Sequence, residues 1–266
     1  MPLTPPVEPH PARPLAGRVV LVTGGAQGIG RGIAQAVLGA GGAVVIGDTD
    51  VDAGRACLDE WKADAAAMFV RTDVAREASV GRFVQSALAA YGRIDGLVNN
   101  AAIADPEAGP VEDLSLADWN RHLAAGLTSV FLCTRAAASA LRAANGSIVN
   151  IASTRAHQSE PDTEPYAAVK GAVVALTHAL AVSLGPDVRV NCISPGWVPT
   201  DAWRRPAARR TPKLARRDHA QHPVGRVGTP QDIGALAVHL LSPYAGFTTG
   251  AEFIVDGGMS RRMRYD

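Results

Sequence analysis

Short runs rich in β-branched residues alternate with longer segments of helical periodicity from residue 18 almost to the end of the chain. The runs are VVLVTG at 19–24, AVVIGD at 43–48, AAMFVRTDV at 66–74, IDGLVNN at 94–100, SIVNIAS at 147–153, DVRVNCIS at 187–194 and AEFIVDGG at 251–258. Such runs are typical of strands buried on both faces, and the helical segments between them predict parallel crossovers. The pattern therefore predicts an α/β fold, a doubly wound parallel sheet of seven strands in a three-layer αβα arrangement.

The helical segments predict where helices lie between the strands. One begins at Gly28, two end at Trp61 and Tyr91, one runs from about 115 to 143, one carries Tyr166, and the last follows Pro230. No break in composition separates the two halves, so we expect a single domain over residues 17–266. Residues 1–16 hold six prolines, which favours a disordered tail over a proline-rich ligand for a partner.

Composition and charge exclude several function classes. The formal net charge of the 266 residues is +1, which argues against a nucleic-acid or anionic membrane surface as the main partner. Cys57, Cys133 and Cys192 are far apart, so neither a disulfide framework nor a zinc site is indicated. His219 and His222 are three positions apart but have no partner ligands in view, and no metal site is predicted. Without a signal or membrane-spanning pattern, we expect a cytoplasmic protein.

A glycine-rich loop follows the first predicted strand and opens the first helix. It reads TGGAQGIG at 23–30, and its glycines permit a tight turn and a close approach of backbone N–H groups to a pyrophosphate. An acidic residue, Asp48, stands twenty positions after Gly28, where it can accept hydrogen bonds from ribose hydroxyls and repel a 2′-phosphate. The loop therefore predicts a Rossmann-type dinucleotide site that prefers NAD to NADP. Its predicted contacts are Gly24, Gln27, Gly28, Ile29, Gly30 and Asp48.

The stretch STRAHQSEPDTEPYAAVK at 153–170 carries the candidate chemistry. Tyr166 and Lys170 are four positions apart, so on a helix they share one face with their β-carbons about 5–6 Å apart. A cation at that distance favours the ionised phenol, which suits proton transfer. Ser153 ends an apolar run, where a strand would bring its hydroxyl to the rim of the sheet. Ser153, Tyr166 and Lys170 are the predicted catalytic residues, although a tyrosine and lysine at this spacing are by themselves typical of a solvated helix face.

Taken together, these motifs resemble those of the short-chain dehydrogenase/reductase family over about residues 15–259. The set comprises TGGAQGIG, TDV at 72–74, NNAA at 99–102, Ser153, Tyr166 with Lys170, SPGWVPT at 194–200 and VDGG at 255–258. The resemblance implies that Tyr166 donates or accepts the substrate proton, Ser153 positions the substrate oxygen and Lys170 supports the tyrosine. It also implies cofactor contacts from Asp73 and Val74 beside adenine, Asn100 on the adenosine side, Tyr166 and Lys170 near the nicotinamide ribose, and Pro195, Val198 and Thr200 at the carboxamide.

One departure from the family stands inside the helix predicted at 115–143. The family usually has an asparagine there, thought to hold a water behind the lysine, whereas this chain has Gly126. A glycine inside a helix costs about 1 kcal/mol relative to alanine. Either a water or a neighbouring side chain fills the space and favours glycine, or the position has drifted in a weakened enzyme.

Substrate specificity is expected to reside in the segment 201–223, which follows the nicotinamide-binding turn. Six arginines and one lysine against two aspartates make it locally cationic. This composition fits an anionic substrate or a lid over the cofactor phosphates, but also a mobile solvated loop. Further residues predicted to line the substrate pocket are His157, Gln158, Glu164 and Trp197.

The leading interpretation is an NAD-dependent oxidoreductase that interconverts a secondary alcohol and a ketone by hydride transfer. Sugar or polyol, hydroxysteroid and 3-oxoacyl substrates all remain open. The alternative, motivated by Gly126, is an NAD-binding protein of low turnover with a sensing or assembly role. A nucleotide-sugar epimerase or dehydratase is disfavoured because such relatives carry a larger C-terminal substrate domain. The family resemblance implies a homotetramer.

Overall fold

A computed structural model describes residues 13–61 and 66–263 of the chain. Its strands follow the predicted apolar runs: β1 (Val19–Thr23), β2 (Ala43–Asp48), β3 (Ala67–Arg71), β4 (Gly96–Asn99), β5 (Ser147–Ile151), β6 (Arg189–Pro195) and β7 (Glu252–Val255). They form one sheet in the order β3-β2-β1-β4-β5-β6-β7, and every neighbouring pair is parallel. The predicted seven-stranded parallel sheet is confirmed.

The strand order reverses between β1 and β4, which are neighbours in the sheet although β2 and β3 come between them in the chain. Val22 of β1 pairs with Ile46 of β2 on one side and with Val98 of β4 on the other. In such sheets, ligands bind outside the carboxyl ends of the strands at the point of reversal. The loops after β1, β2 and β4 therefore open towards one crevice.

Eight α-helices among the described residues cover the sheet. They are α1 (Gly28–Gly39), α2 (Val51–Trp61), α3 (Glu77–Tyr91), α4 (Leu116–Leu123), α5 (Ser129–Ala143), α6 (Glu164–Leu184), α7 (Arg216–Ala220) and α8 (Pro230–Leu241). Helices α1, α2 and α8 share one apolar core with alternate strand residues such as Val22 and Ile46. Helices α3, α5 and α6 share the core on the opposite face, with Leu21 and Val45. Because side chains alternate along each strand, one run serves both cores, as the predicted three layers require.

The predicted helix at 115–143 is interrupted. Ser115 caps it, since the Ser115 hydroxyl accepts a hydrogen bond from the Asp118 N–H at 3.0 Å. Residues Ala124–Thr128 then form a π-helical turn between α4 and α5, with Gly126 buried at its centre. A π-turn inserts one extra residue into the helical repeat and is frequent at functional sites.

The tail predicted at 1–16 lies mostly outside the described residues. Its last part differs from the prediction, because Leu15 is 0% exposed and belongs to the core. The Leu15 N–H also donates to the Ala40 carbonyl oxygen at 3.0 Å. The folded domain thus includes Leu15, because that side chain covers the apolar end of α1.

The sequence predicts no membrane-spanning run, but two helical stretches pass a test of length and composition for one. These are 116–143 and Glu164–Leu184. Both contribute side chains to the core beneath the sheet, including Leu141 and Leu184. Core helices of folded domains pass the same test, so the finding reflects how apolar these helices are.

Candidate active site

A cavity of about 1480 Å³ lies outside the carboxyl ends of the strands. Fourteen of the fifteen distinct residues predicted for catalysis or cofactor binding lie along this cavity. All of them except Gly30 line its wall: Gly24, Gln27, Gly28, Ile29, Asp48, Asp73, Val74, Asn100, Ser153, Tyr166, Lys170, Pro195, Val198 and Thr200. The fold thus brings the predicted cofactor end and the predicted reaction centre into one cavity.

The glycine-rich loop is shaped by backbone constraints. Gly24 and Gly28 have φ angles of 61° and 57°, a left-handed conformation that costs other residues energy. Gly30 does not line the cavity; a β-carbon there would lie 2.1 Å from the Gly24 carbonyl oxygen, so its role is to let α1 approach the turn. Asn100 holds the loop from β4, because its Nδ2 donates to the carbonyl oxygens of Thr23 at 2.9 Å and Gly24 at 3.2 Å.

Asp48 ends β2 and turns its carboxylate towards the glycine loop. Its Oδ2 accepts from the Ala26 N–H at 3.2 Å and its Oδ1 from the Asp50 N–H at 3.1 Å. Burial raises the pKa of Asp48, against the opposing effect of these backbone hydrogen bonds. Asp50 in turn accepts from Gln27 Nε2 at 3.3 Å. The acceptors at this end of the cavity suit ribose hydroxyls and disfavour an added phosphate.

Helix α6 carries two of the candidate catalytic side chains. Lys170 is 4% exposed, and its Nζ donates to the Ile151 carbonyl oxygen at 2.9 Å and lies 5.4 Å from the centre of the Tyr166 ring. The two side chains therefore share the face of the helix that looks into the cavity, as their spacing predicts. The ammonium group of Lys170 thus lies beside the phenol ring.

Ser153 lines the same cavity and stands just after β5. Its Oγ accepts from the Arg155 N–H at 3.2 Å, within a 3₁₀ turn at Thr154–Ala156. This hydrogen bond fixes the hydroxyl oxygen and leaves its proton for another acceptor. The strand end and the helix together can present a hydroxyl donor and a phenol to one substrate oxygen.

Two of the four residues predicted for the substrate pocket line the cavity, and two do not. Gln158 and Trp197 do. Glu164 is exposed at the start of α6; it stands two positions before Tyr166, and side chains at that spacing do not share a helix face. His157 is held elsewhere, because its Nε2 lies 2.7 Å from Oε1 of Glu252. It lines a smaller cavity of about 880 Å³ next to β7.

Comparison with known proteins agrees with this geometry. A family model described as enoyl-(acyl carrier protein) reductase matches residues 24–260. An uncharacterized oxidoreductase of Thermotoga maritima is 48% identical over 258 residues, 95% of this chain and 99% of the relative. L-fucose dehydrogenase of Oryctolagus cuniculus is 42% identical over 246 residues, 91% of this chain and 85% of the relative. The structure of a short-chain dehydrogenase/reductase from Serratia marcescens superposes with a TM-score of 0.83 at 32% identity, covering 93% of this chain and 99% of that one.

The chain belongs to the short-chain dehydrogenase/reductase family. It is an oxidoreductase of that family with the family's αβα fold.

Several wall residues of this short-chain dehydrogenase/reductase escaped the sequence analysis. Met259, Ser260 and Arg262 reach the cavity from beyond β7, and only the nearby VDGG motif could have drawn attention to them. Arg155 also lines the cavity. One of its nitrogens binds Glu160, while Nη1 is buried without a hydrogen-bond partner among the described residues. Its position two residues after Ser153 is the feature of the sequence that could have indicated a place in the cavity wall.

Among the described residues, no group of three or more His, Cys, Asp or Glu side chains is arranged to hold a metal ion. His219 and His222 instead make local contacts. His219 Nδ1 lies 3.5 Å from the Val227 N–H, and His222 Nδ1 lies 3.1 Å from the Asp218 carbonyl oxygen.

Proposed function

We propose that this short-chain dehydrogenase/reductase interconverts a secondary alcohol and a ketone with NAD as the hydride carrier. The observation that carries the proposal is the single cavity in which Tyr166, Lys170 and Ser153 face the glycine-rich loop. A dinucleotide fits this wall, because the loop backbone and the N-terminus of α1 suit a pyrophosphate and the Asp48 carboxylate suits a ribose. NAD, when bound, would take up or release the hydride at its nicotinamide ring.

The protein's own residues would move the proton and hold the substrate. In the direction of alcohol oxidation, the Tyr166 phenolate accepts the hydroxyl proton, while Ser153 Oγ donates a hydrogen bond to the substrate oxygen. In the direction of ketone reduction, Tyr166 returns the proton to the forming alkoxide. Lys170 would support the proton transfer from its place beside the phenol ring, with its Nζ oriented by the Ile151 carbonyl oxygen. A positioned acid or base of this kind contributes about 10²- to 10⁴-fold to a rate.

The test is a substrate panel read by NADH absorbance and fluorescence. L-fucose and other sugars and polyols, hydroxysteroids and 3-oxoacyl thioesters should be offered with NAD(H) and with NADP(H). We expect turnover with one class and a preference for NAD. Tyr166→Phe should abolish that turnover while NADH still binds, since the phenyl ring keeps the shape of the wall. Equal loss of turnover and NADH binding would contradict the role given to Tyr166.

The second candidate is an NAD-binding protein of low turnover, and Gly126 at the centre of the π-turn is the feature that favours it. It predicts NADH binding without reaction across the whole panel. An enzyme instead gives a time-dependent change in NADH signal with at least one substrate class.

We also propose an assembly and a compartment, which the surface and the thiols support. The proposed homotetramer is supported by apolar side chains exposed on α4, α5 and α6, namely Leu116, Phe131 and Val182 at 73%, 47% and 83%. Light scattering on the purified protein tests it. A cytoplasmic location is proposed because the three cysteines are free, which suits a reducing compartment.

A further inference from the structure

One carboxylate joins the segment 201–210 to the helices around the cofactor end of the cavity. Glu60, near the end of α2, accepts hydrogen bonds from Arg31 Nη2 and Arg209 Nη2, each at 2.5 Å. Arg31 lies on α1 and its side chain is 4% exposed, whereas the Arg209 side chain is 31% exposed. Glu60 thus bridges a buried cation of the fixed scaffold and a half-buried cation of the segment.

The same two arginines also hold the backbone of that segment. The Arg204 carbonyl oxygen accepts from Arg209 Nε at 2.8 Å and from Arg31 Nη1 at 3.4 Å. A single carboxylate therefore orients both donors that reach this carbonyl group. We call Arg31, Glu60, Arg209 and the Arg204 carbonyl group the Glu60 clamp.

The clamp brings the segment against the glycine-rich loop. Arg204 and Arg205 line the cavity, and the Arg205 N–H donates to Gln27 Oε1 at 3.3 Å. Gln27 precedes α1, where the backbone N–H groups suited to a pyrophosphate are found. Two arginines of the segment thus stand at the wall beside the loop that would hold the dinucleotide phosphates.

We propose that Glu60 is a positioning residue that makes residues 204–209 a wall of the dinucleotide site, so that the bound cofactor and the clamped segment stabilise each other. This proposal rests on the proposed function. Opening the clamp at Arg209 would then precede cofactor release, and a bound dinucleotide would keep the segment closed.

The two halves of the clamp differ in a way that suits such a role. Removing the partner of a buried charge is strongly destabilising, so Arg31 keeps Glu60 in place whether or not the segment is closed. The contact of Glu60 with Arg209 joins partly exposed groups, whose attraction is modest and screened by solvent. Arg209 is therefore the half that can open without unfolding the scaffold.

The main variant is Arg209→Gln, because Arg209 does not line the cavity and its loss leaves the Glu60–Arg31 pair intact. Arg142→Gln is the matched control. Arg142 also binds a carboxylate, Asp187 at 2.6 Å, and a backbone carbonyl oxygen, that of Ser183 at 3.1 Å, but it does not line the cavity. Arg209→Lys keeps the charge and should restore part of the effect.

Two measurements follow. The first is NADH dissociation by stopped-flow fluorescence, which we expect Arg209→Gln to accelerate about three- to tenfold, given the partly exposed charge-assisted contact. The second is tryptic cleavage after Arg204, followed by mass spectrometry with and without NADH. We expect faster cleavage in Arg209→Gln and strong protection by NADH in the wild type. Arg142→Gln should match the wild type in both.

Glu60→Gln provides a second variant, with thermal unfolding as its check because it removes the charged partner of the buried Arg31. If Arg209→Gln released NADH and was cleaved at the same rates as the wild type, the proposed clamp would be wrong, but the proposed function would stand. Failure of the wild-type protein to bind either NADH or NADPH would instead overturn the proposed function.

Discussion

A β-carbon at Gly126 would lie 2.5 Å from Cγ1 of Val169. Val169 is 2% exposed and directly precedes Lys170 on α6. Valine is branched at its β-carbon and cannot turn its methyl groups aside freely. Of the two accounts of Gly126, the geometry therefore favours a neighbouring side chain that fills the space, here the side chain of Val169.

We predict that Gly126→Asn lowers both stability and turnover. The new side chain must displace Val169, and with it the turn of α6 that positions Tyr166 and Lys170. Overpacking of this kind costs about 1 to 3 kcal/mol in the free energy of unfolding. Urea unfolding and kcat with the substrate found by the panel measure the two effects.

The double variant Gly126→Asn with Val169→Ala should recover part of both losses, because alanine frees the space. Val169→Ala alone is the control, because it measures the loss of stability caused by the cavity that alanine leaves. If Gly126→Asn by itself were as active as the wild type or more so, drift at this position would be the better account and the contact with Val169 would not constrain α6.

Asp48 predicts a pH dependence of cofactor binding. Burial raises its pKa, and the ionised carboxylate is the form that accepts hydrogen bonds from ribose hydroxyls. The affinity for NADH is thus complete above the raised pKa and is lost as the pH falls through it, starting at a higher pH than for an ordinary aspartate. Fluorescence titrations of NADH across the acidic range measure this. Asp48→Asn should bind NADH more weakly, and its NADH affinity should no longer fall over this pH range. If the pH profile of the variant were unchanged, another group would be responsible for the fall in affinity.

The same residue predicts cofactor choice. The Asp48 carboxylate repels a 2′-phosphate, so Asp48→Ala should narrow the preference for NAD over NADP, measured as the ratio of the two kcat/KM values. Glu77→Ala is a control of like charge change, since Glu77 pairs with Arg135 on the surface. No change in the ratio would remove Asp48 from the account of specificity.

The sequence predicts best those features that depend on local chemistry. The strands follow from apolar runs, and the shared helix face of Tyr166 and Lys170 follows from their spacing of four. Two features that the sequence analysis missed depend on contacts between distant segments. His157 is drawn to Glu252, which is 95 positions away, and the Glu60–Arg209 contact spans 149 positions. Neither contact leaves a periodic signal in the chain, and the π-turn at 124–128 likewise has no spacing of its own.

Arg155 offers a prediction about the substrate. Arg155 lines the cavity, its Nη1 is buried without a partner among the described residues, and its turn holds Ser153. A buried donor without a partner costs free energy that a substrate oxygen would restore. We expect Arg155→Lys to raise KM for the substrate more than it lowers kcat, while NADH affinity stays unchanged. A fall in kcat at constant KM would instead show that the turn serves only to position Ser153.

The three thiols predict how the enzyme responds to a thiol-reactive disulfide. Burial raises the pKa of Cys57 and Cys192 to about 11 and that of Cys133 to about 12. The thiolate is the reactive form, so these protonated and buried groups are poor nucleophiles at neutral pH. We expect a thiol reagent such as dithionitrobenzoate to modify none of the three cysteines in the native protein and all three after unfolding. Modification of a thiol in the native protein, with loss of activity, would show that a segment covering it opens in solution.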